Sequence, residues 1–338
     1  MNLRFKLAAI LAGSLSISTN AVSGEELSVA TFVPPSHETI TGALAWFENE
    51  LTSRSNGELT LKVYAAGQLG AGPTQQYKRA VKGVADITFG IAASTPTLFP
   101  KTMLAILPGK ALDGPDSTRR MWTVFDKYMA DEWSDVKVLA VGNPAGGMII
   151  ATKDVSTIEG MKGTKIVPWA AITTPVLQGM GTVPVQLGPT EHYTALSTGT
   201  IDAAISSINN IMPPWNLDEV ANYAVVNTPA TFNPVFYVMN KKRYESLSAK
   251  HQKIIDEISG MPFSMQLVQA FHDADEVALK WKDEKIAAGE LNVEWIVTSD
   301  RERAKMEAAA AAGMEAIYSD YADRGIQNAQ TIYEALNK

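Results

Sequence analysis

Met161-Lys-Gly-Thr-Lys-Ile-Val-Pro-Trp169, then Gly181-Thr-Val-Pro-Val-Gln-Leu187, then Glu191-His-Tyr-Thr-Ala-Leu-Ser-Thr-Gly-Thr-Ile-Asp-Ala-Ala204 stand in this order in the middle of the chain. Thr164–Pro168, Val183–Leu187 and Ile201–Ser206 are short apolar runs rich in β-branched residues, which reads as buried strands. The stretches between them are long enough for short helices.

Outward from this segment the same alternation continues. Strands are predicted at Glu26–Val33, Leu59–Tyr64, Ala85–Ala92, Val136–Val141, Met148–Thr152 and Pro234–Asn240. Glu38–Ser53 carries Ile40, Leu44, Phe47 and Leu51 at helical spacing and stops at Asn56-Gly57, a helix C-terminal signal. Gln75–Val84 reads as another helix. Strands alternating with helices of this length predict open α/β sheets covered on both faces. In such sheets a ligand sits beyond the carboxyl ends of the strands, so those loops are the ones to search. Two stretches break the alternation: Pro262–Ala288 reads as one long helix, and Thr298–Lys338 as an Ala- and Glu-rich helical segment interrupted at Gly325. Either they brace two domains or they cover one sheet.

Composition narrows the class. Arg4 and Lys6, an apolar run from Leu7 to about Ile17, and small residues around Ala21 and Ser23 have the layout of a secretory signal peptide, cleaved after Ala21 or Ser23. The chain contains no cysteine, which removes disulfides, thiolate metal sites, cysteine nucleophiles and lipid attachment at cysteine. Export without an anchor predicts the periplasm of a Gram-negative bacterium. Roughly 315 mature residues exceed what one core usually serves, so two domains are expected. Without Arg4 and Lys6 the 29 basic residues become 27, against 36 acidic ones, and no dense Lys/Arg cluster exists. Binding to nucleic acid or an anionic membrane surface is not expected.

No catalytic or metal constellation is nominated. His37, His192, His251 and His272 belong to no metal-ligand spacing. Glu191 and His192 are adjacent, and neighbours on a helix point about 100° apart. There is no Gly-x-Ser-x-Gly elbow. The glycines of Gly67-Gln-Leu-Gly-Ala-Gly72 resemble a phosphate loop without its spacing, and read as a turn after a strand. No cofactor is implied.

Strand ends supply the binding candidates. Phe32 begins the loop to the first helix, and His37 and Glu38 open that helix, where backbone N–H groups are unpaired. Glu38 is either a favourable first-turn charge or a ligand contact. Gly90 ends another strand, and a small residue there lets a ligand approach the backbone. Gln68 follows a strand, as a ligand contact or an exposed loop amide. Trp169 offers an aromatic wall for apolar rings, sugar faces or organic cations, or else a partly buried surface residue.

The order of the central motifs resembles the TRAP-transporter solute-binding proteins of the DctP-like family. Leu69-Gly70, Gly83-Val84-Ala85-Asp86-Ile87, Leu107-Pro108 and the Asn240-Lys241 to Gln252 segment extend the resemblance over most of the mature chain. It implies a two-domain α/β periplasmic binding protein fold. Open sheets would be flanked by helices, with a ligand cleft between the domains and a long helix crossing both. The implied division is domain I at 24–147 and 234–262, domain II at 148–233, and bracing helices from 263 to 338. It also implies ligand contacts after the third central strand, where Ser207 and Asn209 stand, and before the return strand, at Phe232 and Asn233. The implied role is a receptor delivering a small organic solute to membrane permease subunits, with no catalysis. One departure bears on the ligand. Where the family has an arginine that clamps a carboxylate, this chain has Val167, and a second basic family position aligns with Met148. No arginine lies between Arg120 and Arg243. A neutral or cationic solute is therefore favoured over a dicarboxylate. The alternatives are a carboxylate held without the arginine, or an exported α/β hydrolase.

Overall fold

In the computed structural model, residues 24–111, 113–144, 147–213, 215–229 and 233–338 are described. The expected signal peptide and Phe232 lie outside them. Eleven strands form two sheets among these residues. The first holds β1 (Glu25–Ala30), β2 (Leu59–Tyr64), β3 (Ile87–Ile91), β4 (Val136–Gly142) and β10 (Val235–Asn240), in the order β2-β1-β3-β10-β4. β1 is parallel to β2 and β3, whereas β10 runs antiparallel to β3 and β4. The second holds β5 (Gly147–Ala151), β6 (Lys165–Val167), β7 (Val183–Pro184), β8 (Ala203–Ser207), β9 (Tyr223–Val226) and β11 (Glu294–Val297), in the order β11-β9-β5-β8-β6-β7. Here β6, β7 and β8 are mutually parallel, and β5 is antiparallel to β8 and β9. The protein is thus a two-domain α/β structure with mixed sheets, one per domain.

Both domains use one device to start a parallel strand. Gly83 and Gly199 end their helices at φ of 68° and 69°, a left-handed turn that favours glycine. Three residues later an aspartate reaches the neighbouring parallel strand. Asp86 accepts from the Ser28 backbone N–H and hydroxyl, both at 2.8 Å, and Asp202 accepts from the Lys165 backbone N–H at 2.8 Å. The same Gly-x-x-Asp signal therefore fixes β1 against β3 and β6 against β8.

Helices cover both sheets. Phe47 and Leu51 of helix Ala45–Arg54 pack with Leu27, Val29, Phe89 and Tyr237 of the first sheet. Helix Met261–Ala288 belongs to both cores. Its Phe263, Leu267 and Ala270 are buried with the first sheet, whereas Trp281 packs against Met148, Ile150 and Leu217 of the second domain. Helix Asp300–Asp323 touches both domains as well, and helix Ala329–Leu336 packs on it and on the first domain. Gly313 and Gly179 allow the first of these to lie against the backbone of Pro175 and residues 309–310 against Gly179. Tyr321 donates to the Pro100 carbonyl at 2.7 Å, Tyr333 donates to the Pro108 carbonyl, and Asn337 accepts from the Lys110 N–H at 2.6 Å. Met306, Ala310, Ile317, Ile332 and Leu336 join one apolar cluster holding Phe236 and Val238 of the first sheet and Ile149, Ile166 and Ile205 of the second.

β9 and β11 were not among the expected strands. Each is four residues long, and β11 gains its place only through parallel pairing with β9 far away in sequence. The expected helix at Glu38–Ser53 begins as a π-helical turn, Thr39–Leu44, before continuing as Ala45–Arg54.

Candidate functional site

The parallel strands β1, β2 and β3 deliver their following loops to one edge of the first sheet, and β6 and β8 do the same in the second. After β1 the chain passes Phe32 and turns at Pro34–His37, where Pro34 O accepts from His37 N at 3.0 Å. The π-turn that follows is anchored from below: the buried Tyr237 hydroxyl donates to the Thr39 carbonyl at 2.8 Å. π-turns recur at functional sites because they re-aim side chains. Here the turn begins immediately after His37 and Glu38. Phe32 stacks on Phe89 with centroids 5.7 Å apart, and His37 meets the edge of Phe271 at 6.1 Å. This is an aromatic floor built from the β1 loop, β3 and the long helix.

From the second domain, Trp169 stands two residues beyond β6, Ser207 closes β8, and Asn209 lies in the 3-10 turn Ile208–Ile211. Asn233 stands two residues before β10, and the intervening Pro234 O accepts from Ala92 N at 2.8 Å. It therefore sits beside the end of β3.

Electrostatics single out a further residue, Asp275, near the middle of helix Met261–Ala288. Its carboxyl feels the charge of Glu38 and, with opposite effect, the backbone of Asn209. Burial, and then the Glu38 charge, push Asp275 up to about 8. Burial also raises Glu38 above its ordinary value. His37 is lowered to about 4 by burial, so its ring is neutral at physiological pH. The Thr39 N–H points at His37 Nδ1 at 3.3 Å, which makes that nitrogen an acceptor and leaves the proton on Nε2.

Four polar atoms in this region are buried without a hydrogen-bond partner: Glu38 Oε1, Trp169 Nε1, Asn209 Oδ1 and Asn233 Oδ1. Buried polar groups are nearly always satisfied, and an orphan costs about 1–3 kcal/mol. They belong to four segments that follow or precede strands of the two sheets.

The remaining candidates are placed differently. Gly90 is a correction: a Cβ there would run into the Phe236 ring, 2.3 Å from Cζ, so the missing side chain admits that ring rather than a solute. Gln68 is exposed on the loop after β2, and Ser207 is half-buried beside Gly147. Val167 and Met148 point into the apolar cluster behind the second sheet with Ile150 and Leu196. Sequence reasoning missed Asp275 and Phe271, which a uniformly amphipathic helix does not advertise. A cavity of about 430 Å³ between Pro96–Thr97, residues 171–175 and helix Asp300–Asp323 has none of the four orphaned residues in its wall. Among the described residues no group of three or more His, Cys, Asp or Glu side chains could hold a metal ion. No helix among them is long and apolar enough to cross a membrane.

Two α/β domains with mixed sheets and a helix shared by both cores are the architecture of a solute-binding receptor. The chain belongs to the bacterial extracellular solute-binding proteins, family 7 (DctP), whose family model matches residues 29–320. It is 25% identical over 99% of its length, and 98% of the relative's, to the "outer membrane transporter protein TsaT" of Comamonas testosteroni. Among solved structures it is similar to a TRAP solute-binding protein from a marine metagenome (unidentified microbe), specific for aromatic acid ligands and in complex with metahydroxyphenylacetate. The TM-score is 0.82 at 26% identity, covering 92% of this chain and 97% of that one. A TRAP solute-binding protein from Rhodoferax ferrireducens T118, in complex with copurified benzoate, shares the fold at a TM-score of 0.81 and 24% identity, covering 93% and 96%. The family and fold are those of TRAP-type periplasmic receptors for small organic solutes rather than of enzymes.

Proposed function

We propose that this chain is the extracytoplasmic receptor of a TRAP-type uptake system. In this reading it holds one small organic solute between residues 24–147 with 234–262 and residues 148–233, and hands it to the membrane permease subunits. The observation that carries the reading is the set of four orphaned atoms on Glu38, Trp169, Asn209 and Asn233. They stand on strand-end segments of both domains, and none has a hydrogen-bond partner among the described residues. Binding then shifts an open–closed population, and no covalent step is required. Trp169 and Phe32 supply aromatic surface for a ring. Glu38 is the only acidic side chain among the sequence candidates and no arginine or lysine stands among them, which favours a neutral or positively charged solute over a dicarboxylate.

A second reading, an aromatic carboxylate, is favoured by one observation: the marine relative at 26% identity binds aromatic acids. In this chain Val167 is buried among apolar side chains, so such a ligand would rely on Trp169 Nε1 and on protonated Asp275 as donors.

A thermal-shift screen of ligand-stripped protein tests the receptor reading. The panel holds aromatic and aliphatic acids, polyols, amines and quaternary ammonium compounds. A true ligand at one hundred times its dissociation constant adds about 2.7 kcal/mol and moves the midpoint by several degrees. Catalytic turnover of a panel compound would overturn the reading.

A further inference from the structure

We propose that the cavity beneath helix Asp300–Asp323 is a second binding site, for an uncharged and largely apolar molecule of one or two rings, whose occupant holds the two domains in one arrangement. It is separate from the solute site proposed above, because none of the buried polar atoms left without a partner belongs to its wall.

Placement comes first. The helix crosses from one domain to the other between two fixed points. At Gly313 it lies so close to the second domain that an added Cβ would come 2.3 Å from the Pro175 carbonyl oxygen. At Tyr321 it is held to the first domain, where the hydroxyl donates to the Pro100 carbonyl at 2.7 Å. Eight residues separate these points, about 12 Å of helix. Under that span lies an unfilled volume of about 430 Å³. Pro96, Thr97 and Met103, which follow β3, form one wall. Ala171, Ile172, Thr174 and Pro175, which follow β6, form the other. Ala316, Ile317, Asp320, Tyr321 and Arg324 make the roof, and their recurrence at three- and four-residue intervals puts them on one face of the helix.

Size and chemistry then narrow the occupant. Protein interiors leave few voids larger than a water molecule, whereas small-molecule sites run from about 300 to 1,000 Å³. The wall is chiefly apolar, with Met103 and Ile317 buried at its base. Its two charged residues answer each other: Arg324 donates to Asp320 at 3.2 Å, and its guanidinium lies over the Tyr321 ring, 5.4 Å from the centroid. A charged occupant would have to break that pair or lie beside it unmatched, and an uncharged one leaves it intact. Thr97 and Thr174 offer hydroxyls to one polar group of the occupant. Thr97, Ala171, Ala316 and Asp320 are exposed, so the space opens to solvent.

The consequence follows from the walls belonging to different domains. An occupant that touches both has a different affinity for any other domain separation, and so shifts the population of arrangements.

Methyl spectra of isotope-labelled, ligand-stripped protein test the site, with indole and benzyl alcohol as uncharged probes and benzoate and benzylamine as charged ones. The uncharged probes should move the Met103, Ile172 and Ile317 methyl signals together, with a dissociation constant on the order of 0.1–1 mM. Ala316→Trp and Ile172→Trp, which fill the cavity from opposite sides, should each weaken that binding at least tenfold. Because the chain has no cysteine, Lys62→Cys and Lys162→Cys together place one spin label on each domain. Saturating indole should narrow the distribution of distances between them. Absence of methyl shifts at about ten times the expected constant overturns the site, as does undiminished binding in both filled variants. Benzoate or benzylamine binding more tightly than benzyl alcohol at the same methyls overturns the uncharged assignment. An unchanged distance distribution with indole bound overturns the hold on the domains. The receptor reading is tested separately, since its residues are untouched in every variant used.

Discussion

The His37 ring, on the loop that leaves β1, meets the edge of the Phe271 ring at 6.1 Å, on the helix that both cores share. A strand-end loop of the first domain is thereby registered against a helix whose later turn, at Trp281, packs on the second.

Trp169 packs at the edge of the large apolar cluster while its indole N–H has no partner. Trp169→Ala removes a wall of the site, not a keystone of the core. Affinity for the bound solute should fall at least tenfold, with the melting midpoint of the ligand-free protein nearly unchanged. Paired calorimetry and thermal melts check this, and an equal loss of stability would make Trp169 a core residue.

The perturbed groups give the ligand-free protein a definite pH profile. Asp275 is raised from 3.8 to about 8, so its contribution is complete at acid pH and is lost as pH rises towards 8. Glu132, raised by burial to about 7, acts in the same sense over a lower range. His37 and His192 are lowered from 6.5 to about 4, so stability falls as pH drops below about 6.5. The two trends oppose each other between pH 4 and 6.5. Above pH 7 Asp275 acts alone, and stability should decline between pH 7 and 8. Urea melts of wild type and Asp275→Asn across pH 5–9 read this directly, because the variant should lose the decline.

Gly313 lets helix Asp300–Asp323 touch the chain at Pro175: an added Cβ would lie 2.3 Å from the Pro175 carbonyl oxygen and 2.6 Å from the Val176 nitrogen. Both are backbone atoms and cannot swing aside. Gly313→Ala should destabilise the protein by about 1–3 kcal/mol despite alanine's better helix propensity. A chemical denaturation series measures it.

Val167→Arg should not improve binding of the native solute. The side chain would enter the cluster of Met148, Ile150 and Leu196, and a guanidinium buried there without a partner costs several kcal/mol. Gain of tight carboxylate binding in this variant would mean that the arginine swings out into the cleft.

The strand ends were legible because the rule that selects them depends only on alternation and chain direction. Phe32, His37, Glu38, Trp169, Asn209 and Asn233 all follow a parallel strand or precede the return strand, and the structure places each of them on such a segment. Gly90 failed because its openness was judged along one strand, whereas Phe236 fills it from the neighbouring β10. Asp275 was illegible for a different reason. Asp273, Asp275 and Glu276 look alike in sequence, and only the packing of the helix onto Ile208–Ile211 selects one of them. β11 was missed for want of length: four residues hold a strand only when a partner, here β9, already waits.

The apolar cluster that holds Phe236 of one sheet and Ile205 of the other together with helix Asp300–Asp323 ties the two domains as the spine of a book ties its covers. Pages bound along one edge part only at the other. In the proposed receptor role a solute would enter from the unbound edge, and each opening would flex the shared helix Met261–Ala288 as a leaf spring. The stiffness of that spring, set by side chains that never touch the solute, would then enter the release rate as directly as the contacts that do.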